Sequence, residues 1–441
     1  MFFEFCLELG FDEFHTGVLL TAILLGDLVV TLALSTRADA WGRRRTLVAS
    51  AVLKVLAGVA FAFGTRFEVL LVAGVVGVIS TSGGECGPFL AVEQAALTDA
   101  VAACRASSDA GDVAVLFGVY NALGYWSQAA GALASGFAVD ALQAQGALTP
   151  LDAHRVIFLA YAATGLTMGL AYACLSAAAE ASGPTLERKL FGLRRPGSAR
   201  IVARLSAFFA LDAFAGAFTM QTFVALWFSE RWAFSAARVG ELLGAANVVA
   251  GASGVAASHL VRRIGAMQTM VVTHLPSNVL LLAVPFMPSA ASAAAMLVAR
   301  FCISQMDVPA RQAYVTMVVA SDERSAAGGI TNIARSVGMS AAPLLLGYLS
   351  EAQPRTSWRF SSPWIISGAL KIVYDVGLFA MYTYSRMQAD EVGAPASGAG
   401  LRAPREIYPS LREPLLAEEG EDGTLAHEGR VGDGGATAEE A

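Results

Sequence analysis

The chain has 441 residues, 55% of them hydrophobic and only 15% charged, with a mean hydropathy of +0.55. A water-soluble globule carries about 25% charged residues, so this composition argues against one large soluble domain, and equally against a disordered or disulfide-stapled chain. The formal charge of −6 is uneven, because residues 387–441 hold four arginines against twelve acids and leave the body slightly basic.

A helix crosses a hydrocarbon core with roughly 20 apolar residues. Eleven such runs are expected, at 17–36, 46–64, 68–92, 113–139, 155–178, 203–228, 238–260, 266–287, 290–312, 325–349 and 362–386. The opening stretch, with Glu4, Glu8, Asp12 and Glu13 and no basic residue, does not read as a secretory signal. Connections are short except for the polar 179–202, which reads as a linker between two bundles. The acidic tail, 387–441, is rich in Ala, Gly, Glu and Pro and reads as disordered. Alternate loops divide the basic residues unequally: one set, from Arg37 to Arg386, holds fourteen, and the other, including Arg66, Arg155 and Arg355, holds six. The positive-inside bias then places the linker and the C-terminus in the cytoplasm. Cys6, Cys86, Cys174 and Cys302 lie in apolar stretches and read as small buried hydrophobes. Without CxxC or Cys/His spacing, no metal site is expected.

The two halves resemble each other. A shift of 223 positions aligns Phe11 with Phe234, Gly17 with Gly240, Leu19–Leu20 with Leu242–Leu243, Gly42 with Gly265 and Thr46 with Thr269. A slightly larger shift matches Leu71–Gly74 to Leu297–Arg300, and a shorter one pairs Asn121 with Asn332 and Gly136 with Gly347. Two repeated helical bundles joined by a long linker are the layout of many secondary transporters. The same shift puts the counterpart of run 203–228 almost wholly upstream of Met1. The expected organisation is therefore an N-terminal bundle of five spans over 1–178, lacking its first helix, the linker 179–202, and a six-span bundle over 203–386.

The cytoplasmic turn Ser35–Arg45, SerThrArgAlaAspAlaTrpGlyArgArgArg, resembles the loop signature of the major facilitator superfamily. Asp39, Gly42, Arg44 and Arg45 match the pattern, while Ser35 and Ala40 depart from it. Val261–Gly265 is similar to its degenerate second copy. The resemblance implies an all-α, polytopic two-bundle fold of about 11 transmembrane helices. It also implies a gate in which Asp39 faces the N-terminus of the helix that starts near Arg324, where the helix dipole favours a carboxylate. The superfamily's basic residue early in its fourth span falls here on Gly74, whose repeat partner is Arg300. A basic coupling residue is therefore sought in the second half.

Ionisable groups inside spans are costly and default to functional hypotheses. Asp27, Glu85, Asp212, Arg300, Asp307 and Arg335, with Asn121 and Asn332, are the candidates for cavity or coupling groups. Glu85 sits in a Gly/Pro-interrupted segment whose freed backbone could face a cavity. Asp307 and Arg311 have i,i+4 spacing, and so do Lys371 and Asp375, read as a self-neutralising pair on a peripheral helix. Lys54 is expected to snorkel toward the cytoplasm. No HExxH, GxSxG or Walker loop occurs, so neither an enzyme nor an ATP-driven pump is expected, and no cofactor. Basic residues at loop ends without interleaved aromatic surface give no support for nucleic-acid binding. The expected partners are the lipid bilayer and a small solute moved by alternating access, with protons as candidate coupling ion because buried carboxylates bind them more readily. The alternative from a different class is a non-transporting membrane scaffold or sensor, or an inactive truncated form.

Overall fold

The computed structural model describes residues 2–79, 87–104, 110–144, 146, 148–176, 179–180, 193, 195–319 and 323–391. Among these residues the chain is helical, without strands. In chain order the helices are α1 (Phe2–Glu8), α2 (Glu13–Ser35), α3 (Ala38–Trp41), α4 (Arg43–Phe63), α5 (Phe67–Val76), α6 (Pro88–Cys104), α7 (Ala110–Ala144) and α8 (Pro150–Ala173). After residues 177–195 follow α9 (Pro196–Ala217), α10 (Gln221–Trp232), α11 (Ala236–Ile264), α12 (Ala266–Ala283), α13 (Ala290–Ser304), α14 (Asp307–Met317), α15 (Arg324–Ser350) and α16 (Trp358–Glu391).

Local chemistry sets many of the boundaries. Asp12, Thr149, Ser235 and Ser289 cap α2, α8, α11 and α13, each accepting a backbone N–H of the first turn. Pro150 opens α8, where its missing N–H would have had no intrahelical partner anyway. Gly42 and Gly265, matched by the repeat, both have positive φ (+99° and +91°) and both start the next helix. The paired threonines behave alike: Thr46 donates its hydroxyl to the Gly42 carbonyl at 3.0 Å, and Thr269 donates to that of Gly265 at 2.7 Å.

Eight helical segments among the described residues are long and apolar enough to cross a bilayer: 13–35, 43–63, 150–173, 196–232, 236–261, 266–286, 290–312 and 358–383. Their outward residues, such as Leu56, Val72, Leu166, Leu170, Val272 and Val376, are large, apolar and exposed, a surface suited to lipid. Helices α7 and α15 are also long enough to span, and each lies against a helix of the other half. Three expected runs are interrupted. Run 68–92 stops as a helix at Val76, and 80–86 lie outside the described residues. Run 203–228 divides at Phe218–Met220, just after Gly216, and run 290–312 at Gln305–Met306, just before Pro309 in the first turn of α14.

The repeat is visible in the contacts between halves. A Cβ on Gly17 of α2 would lie 2.5 Å from the Pro343 carbonyl of α15, and one on Gly347 would lie 2.5 Å from the Glu13 carbonyl. The repeat-related contact is made by α11 and α7: a Cβ on Gly240 would lie 2.5 Å from the Ala132 carbonyl, and one on Gly136 would lie 2.4 Å from that of Ala236. The same backbone-to-backbone approach thus occurs twice, with equivalent residues exchanged. Only glycine permits such closeness.

The short α1 packs on α2, α8 and α10. Its Phe3 and Phe5 are fully buried, and Phe5 meets Phe158 with ring centroids 4.7 Å apart. Shifting α10 back by 223 positions lands it on α1, so the two helices that touch here are also related by the repeat.

Candidate functional site

Asp212, on α9, is the hub of a buried charge cluster. Its Oδ1 accepts from Lys371 Nζ of α16 at 2.5 Å, and its Oδ2 accepts from Arg311 of α14 and Arg335 of α15, both at 3.3 Å. Arg311 donates also to Asp307 one turn earlier, at 3.0 Å. His274 of α12 lies 3.8 Å from Asp212 through Nε2 and 2.8 Å from Asp375 through Nδ1. Asn278 donates to the other Asp375 oxygen at 2.8 Å. Five helices of the second half therefore converge on two aspartates. Removing ions from water costs several kcal/mol each, and such a cluster persists only when partners replace the lost hydration.

Arg300 of α13 is the exception to this pairing. Its side chain is buried and lies over the Phe301 ring, 5.2 Å from the centroid. Asp212 and Asp307 are the carboxylates whose charge it feels, yet neither comes within the 4.0 Å of an ion pair, and among the described residues its Nε has no hydrogen-bond partner. Its first-half counterpart, Gly74, has no room for a side chain, since a Cβ there would lie 2.7 Å from Ile23. The first half instead presents Tyr125 of α7, which donates to Gln305 at the break between α13 and α14, at 2.6 Å. Asp307, Arg311 and Arg335 are charges whose field reaches that hydroxyl.

Of the residues singled out in the sequence, Asp212, Arg300, Asp307 and Arg335 come together here. Asn332 is exposed, one turn before Arg335 on α15, and Asn121 is half-buried, one turn before Tyr125 on α7. Asp27 is elsewhere, in the first half, where a Cβ on Gly87 would lie 2.7 Å from its Oδ1. Glu85 lies outside the described residues, and of Asp39 only the backbone, in α3, is described. The expected contact of Asp39 with the helix from Arg324 therefore falls outside them. Gly42 adjoins a different carboxylate: Glu180 accepts from the backbone N–H of Arg43 at 2.7 Å and of Arg44 at 3.3 Å, an acid at a helix N-terminus. The Arg44 and Arg45 side chains are exposed.

Three readings of single residues are corrected. Lys371 and Asp375 do not pair with each other, because α16 packs on both α9 and α12 and each side chain finds a partner there. Lys54 does not snorkel; it is half-buried, with Nζ 4.6 Å above the Tyr161 ring and 3.4 Å from the Met168 sulfur. Cys174 and Cys302 are exposed, not buried. Sequence reasoning passed over His274, Asn278 and Tyr125, none of which carries a formal charge. Glu93, a further ionisable group inside an expected span, accepts from the hydroxyls of Tyr120 and Tyr172 in the first half.

A second cluster joins the halves at the end where α2 begins. Arg355, between α15 and α16, donates to Glu13 of α2 and to the Ser350 carbonyl, and pairs with Glu230 of α10 at 3.2 Å. Nearby, His154 of α8 is 2.9 Å from Glu8 and 3.7 Å from Glu4, both on α1.

Apolar outer faces around a buried charge cluster define an integral, multi-pass membrane protein of the transporter class. The model of the Major Facilitator Superfamily matches residues 4–306, and the chain belongs to that superfamily. It is 24% identical to an uncharacterized membrane protein of Saccharomyces cerevisiae over 85% of this chain and 87% of that one. In structure it resembles the nucleoside transporter NupG (15% identity, 86% and 93% covered, TM-score 0.62). It also resembles a bacterial homologue of the human lysosomal transporter Spinster (15% identity, 85% and 90% covered, TM-score 0.62). A third similar structure is the xylose transporter XylE from E. coli (13% identity, 83% and 86% covered, TM-score 0.59). These are transporters, not enzymes.

Proposed function

We propose that this protein is a secondary transporter that moves a small solute by alternating access, coupled to protons, with two bundles (residues up to 178 and 203–386) rocking about a central cavity. The observation that carries the reading is the sharing of the single Asp212 carboxylate by Lys371, Arg311 and Arg335 from three other helices. A buried carboxylate with several competing cations is a two-state element. Protonating it releases its partners, and repartnering is what a coupled conformational change requires. His274 bridges Asp212 and Asp375 and gives a proton a place to pass between them.

The halves meet at the Arg355 end through the Glu13–Arg355–Glu230 contacts and the two glycine crossings. With the basic loops and C-terminus taken as cytoplasmic, that end is the outer one, and Arg355 holds it shut. The test is uptake by proteoliposomes. A pH gradient is expected to drive solute accumulation in the native protein, and Asp212→Asn is expected to abolish gradient-driven uptake while sparing exchange. Uptake indifferent to both would remove the coupling; Asp27→Asn, in the other half, is the comparison that localises it.

A further inference from the structure

We propose that the solute is a small organic anion and that Arg300 holds its acidic group; this rests on the transporter reading and deepens it. Four cations, Arg300, Arg311, Arg335 and Lys371, face three carboxylates among the described residues of the cluster. The carboxylates are spoken for: Asp212 and Asp307 hold the other three cations, and Asp375 is satisfied by His274 and Asn278. Four cations against three carboxylates leave one positive charge over, and geometry assigns it to Arg300. That residue is 9% exposed, has no hydrogen bond or ion pair among the described residues, and has its Nε sealed without a partner.

A guanidinium cannot escape this position by losing its proton, since its affinity for it is too high. A buried charge is retained only when something compensates it in the working protein. The planar fork of an arginine matches the two oxygens of a carboxylate or the oxygens of a phosphate ester, and such paired bonds are the strong ones. A neutral sugar or nucleoside would leave the surplus charge where it is. Across the interface, Tyr125 and Gln305 already bond to each other at 2.6 Å, and either can turn a polar group toward the remainder of the solute. An anion at Arg300 also adds a negative charge beside Arg311 and Arg335 and competes with Asp212 for them, which links binding to the shared carboxylate.

The experiment is thermal melting of the purified full chain in lipid nanodiscs with lactate, benzoate and inorganic phosphate, against xylose and uridine as neutral probes. At least one anion is expected to raise the melting temperature of the native protein. Arg300→Gln should weaken that response about ten- to a hundredfold in half-maximal concentration, the size of a lost charge-assisted bond. The same variant should melt higher than the native protein when no anion is present, because the uncompensated charge is gone, whereas loss of a structural arginine would lower it. Arg300→Lys keeps the charge without the fork and should respond in between. An anion response that survives Arg300→Gln unchanged, or the absence of any anion response in the native protein, overturns the assignment. With the same probes in proteoliposomes, uptake of xylose or uridine with the anions inert would also overturn it and leave the transporter reading standing. Anion stabilisation without uptake of any probe would sink the transporter reading instead.

Discussion

Lys371 donates to Asp212 at 2.5 Å, joining the last helix of the described chain to the helix that opens its second half. The bond explains why a buried lysine is tolerated on this helix: it is 6% exposed, and its charge is met by a carboxylate from a neighbour. It also ties α16 to α9 at the depth where Arg311 and Arg335 compete for the same group.

Asp212→Asn leaves three cations facing a neutral amide. Removing one partner of a buried pair costs about 3–5 kcal/mol, mostly from the charge left behind. The variant is expected to melt well below the native protein, and adding Lys371→Gln should recover part of the loss. A double variant no more stable than Asp212→Asn alone would show that Lys371 does not depend on that carboxylate.

Arg355 is predicted to hold α2, α10 and the α15–α16 connection together. Replacing it by alanine strands Glu13 and frees Glu230, and the halves should part more readily at that end. A cysteine placed at the fully buried Ser350, with the native cysteines replaced, should react slowly with a soluble maleimide when Arg355 is present and several times faster in Arg355→Ala. Equal rates would show that the contact does not govern opening.

Much of the fold was readable in the sequence because lipid demands long apolar helices, and eight segments among the described residues have that length and character. The breaks at Phe218–Met220 and Gln305–Met306 were not readable, since hydropathy follows side chains and not the backbone. The charges of the site stood out against their apolar setting: Asp212, Arg300, Asp307 and Arg335 needed no structure to be noticed. Their partners did. Lys371 and Asp375 have the spacing of a local pair, and only the packing of α16 between α9 and α12 shows that each bonds to a residue over 90 positions away. His274 and Tyr125 carry no charge that a count would register.

Asp12 caps α2 by accepting the His15 backbone N–H at 2.7 Å, and its ring approaches at 2.6 Å. That N–H holds the carboxyl below its ordinary value of 3.8, with the His15 side chain adding to the effect. A lowered value means the stabilisation is complete above the ordinary carboxylate range and disappears as pH falls through it. Asp12→Ala should cost ~1 kcal/mol at neutral pH. The gap in melting temperature between the two proteins should close in acid; a gap independent of pH would assign the loss to packing.

Gly17 and Gly240 are equivalent under the repeat, and each lets its helix approach a carbonyl oxygen of the other half to 2.5 Å from where a Cβ would stand. No rotamer relieves such a clash, because the obstructing atom is backbone and the added carbon is the first of the side chain. Gly17→Val must therefore push α2 from α15, and Gly240→Val must push α11 from α7. Overpacking of this kind costs roughly 1–3 kcal/mol in the conformation described. Since both contacts belong to one end, either substitution should shift the population toward a state parted there, read as longer distances between spin labels on α2 and α15 and on α7 and α11. The two variants should produce the same shift, and combining them should add little once that end has opened. A change confined to the helix pair that carries the substitution would mean that the two crossings do not move as one.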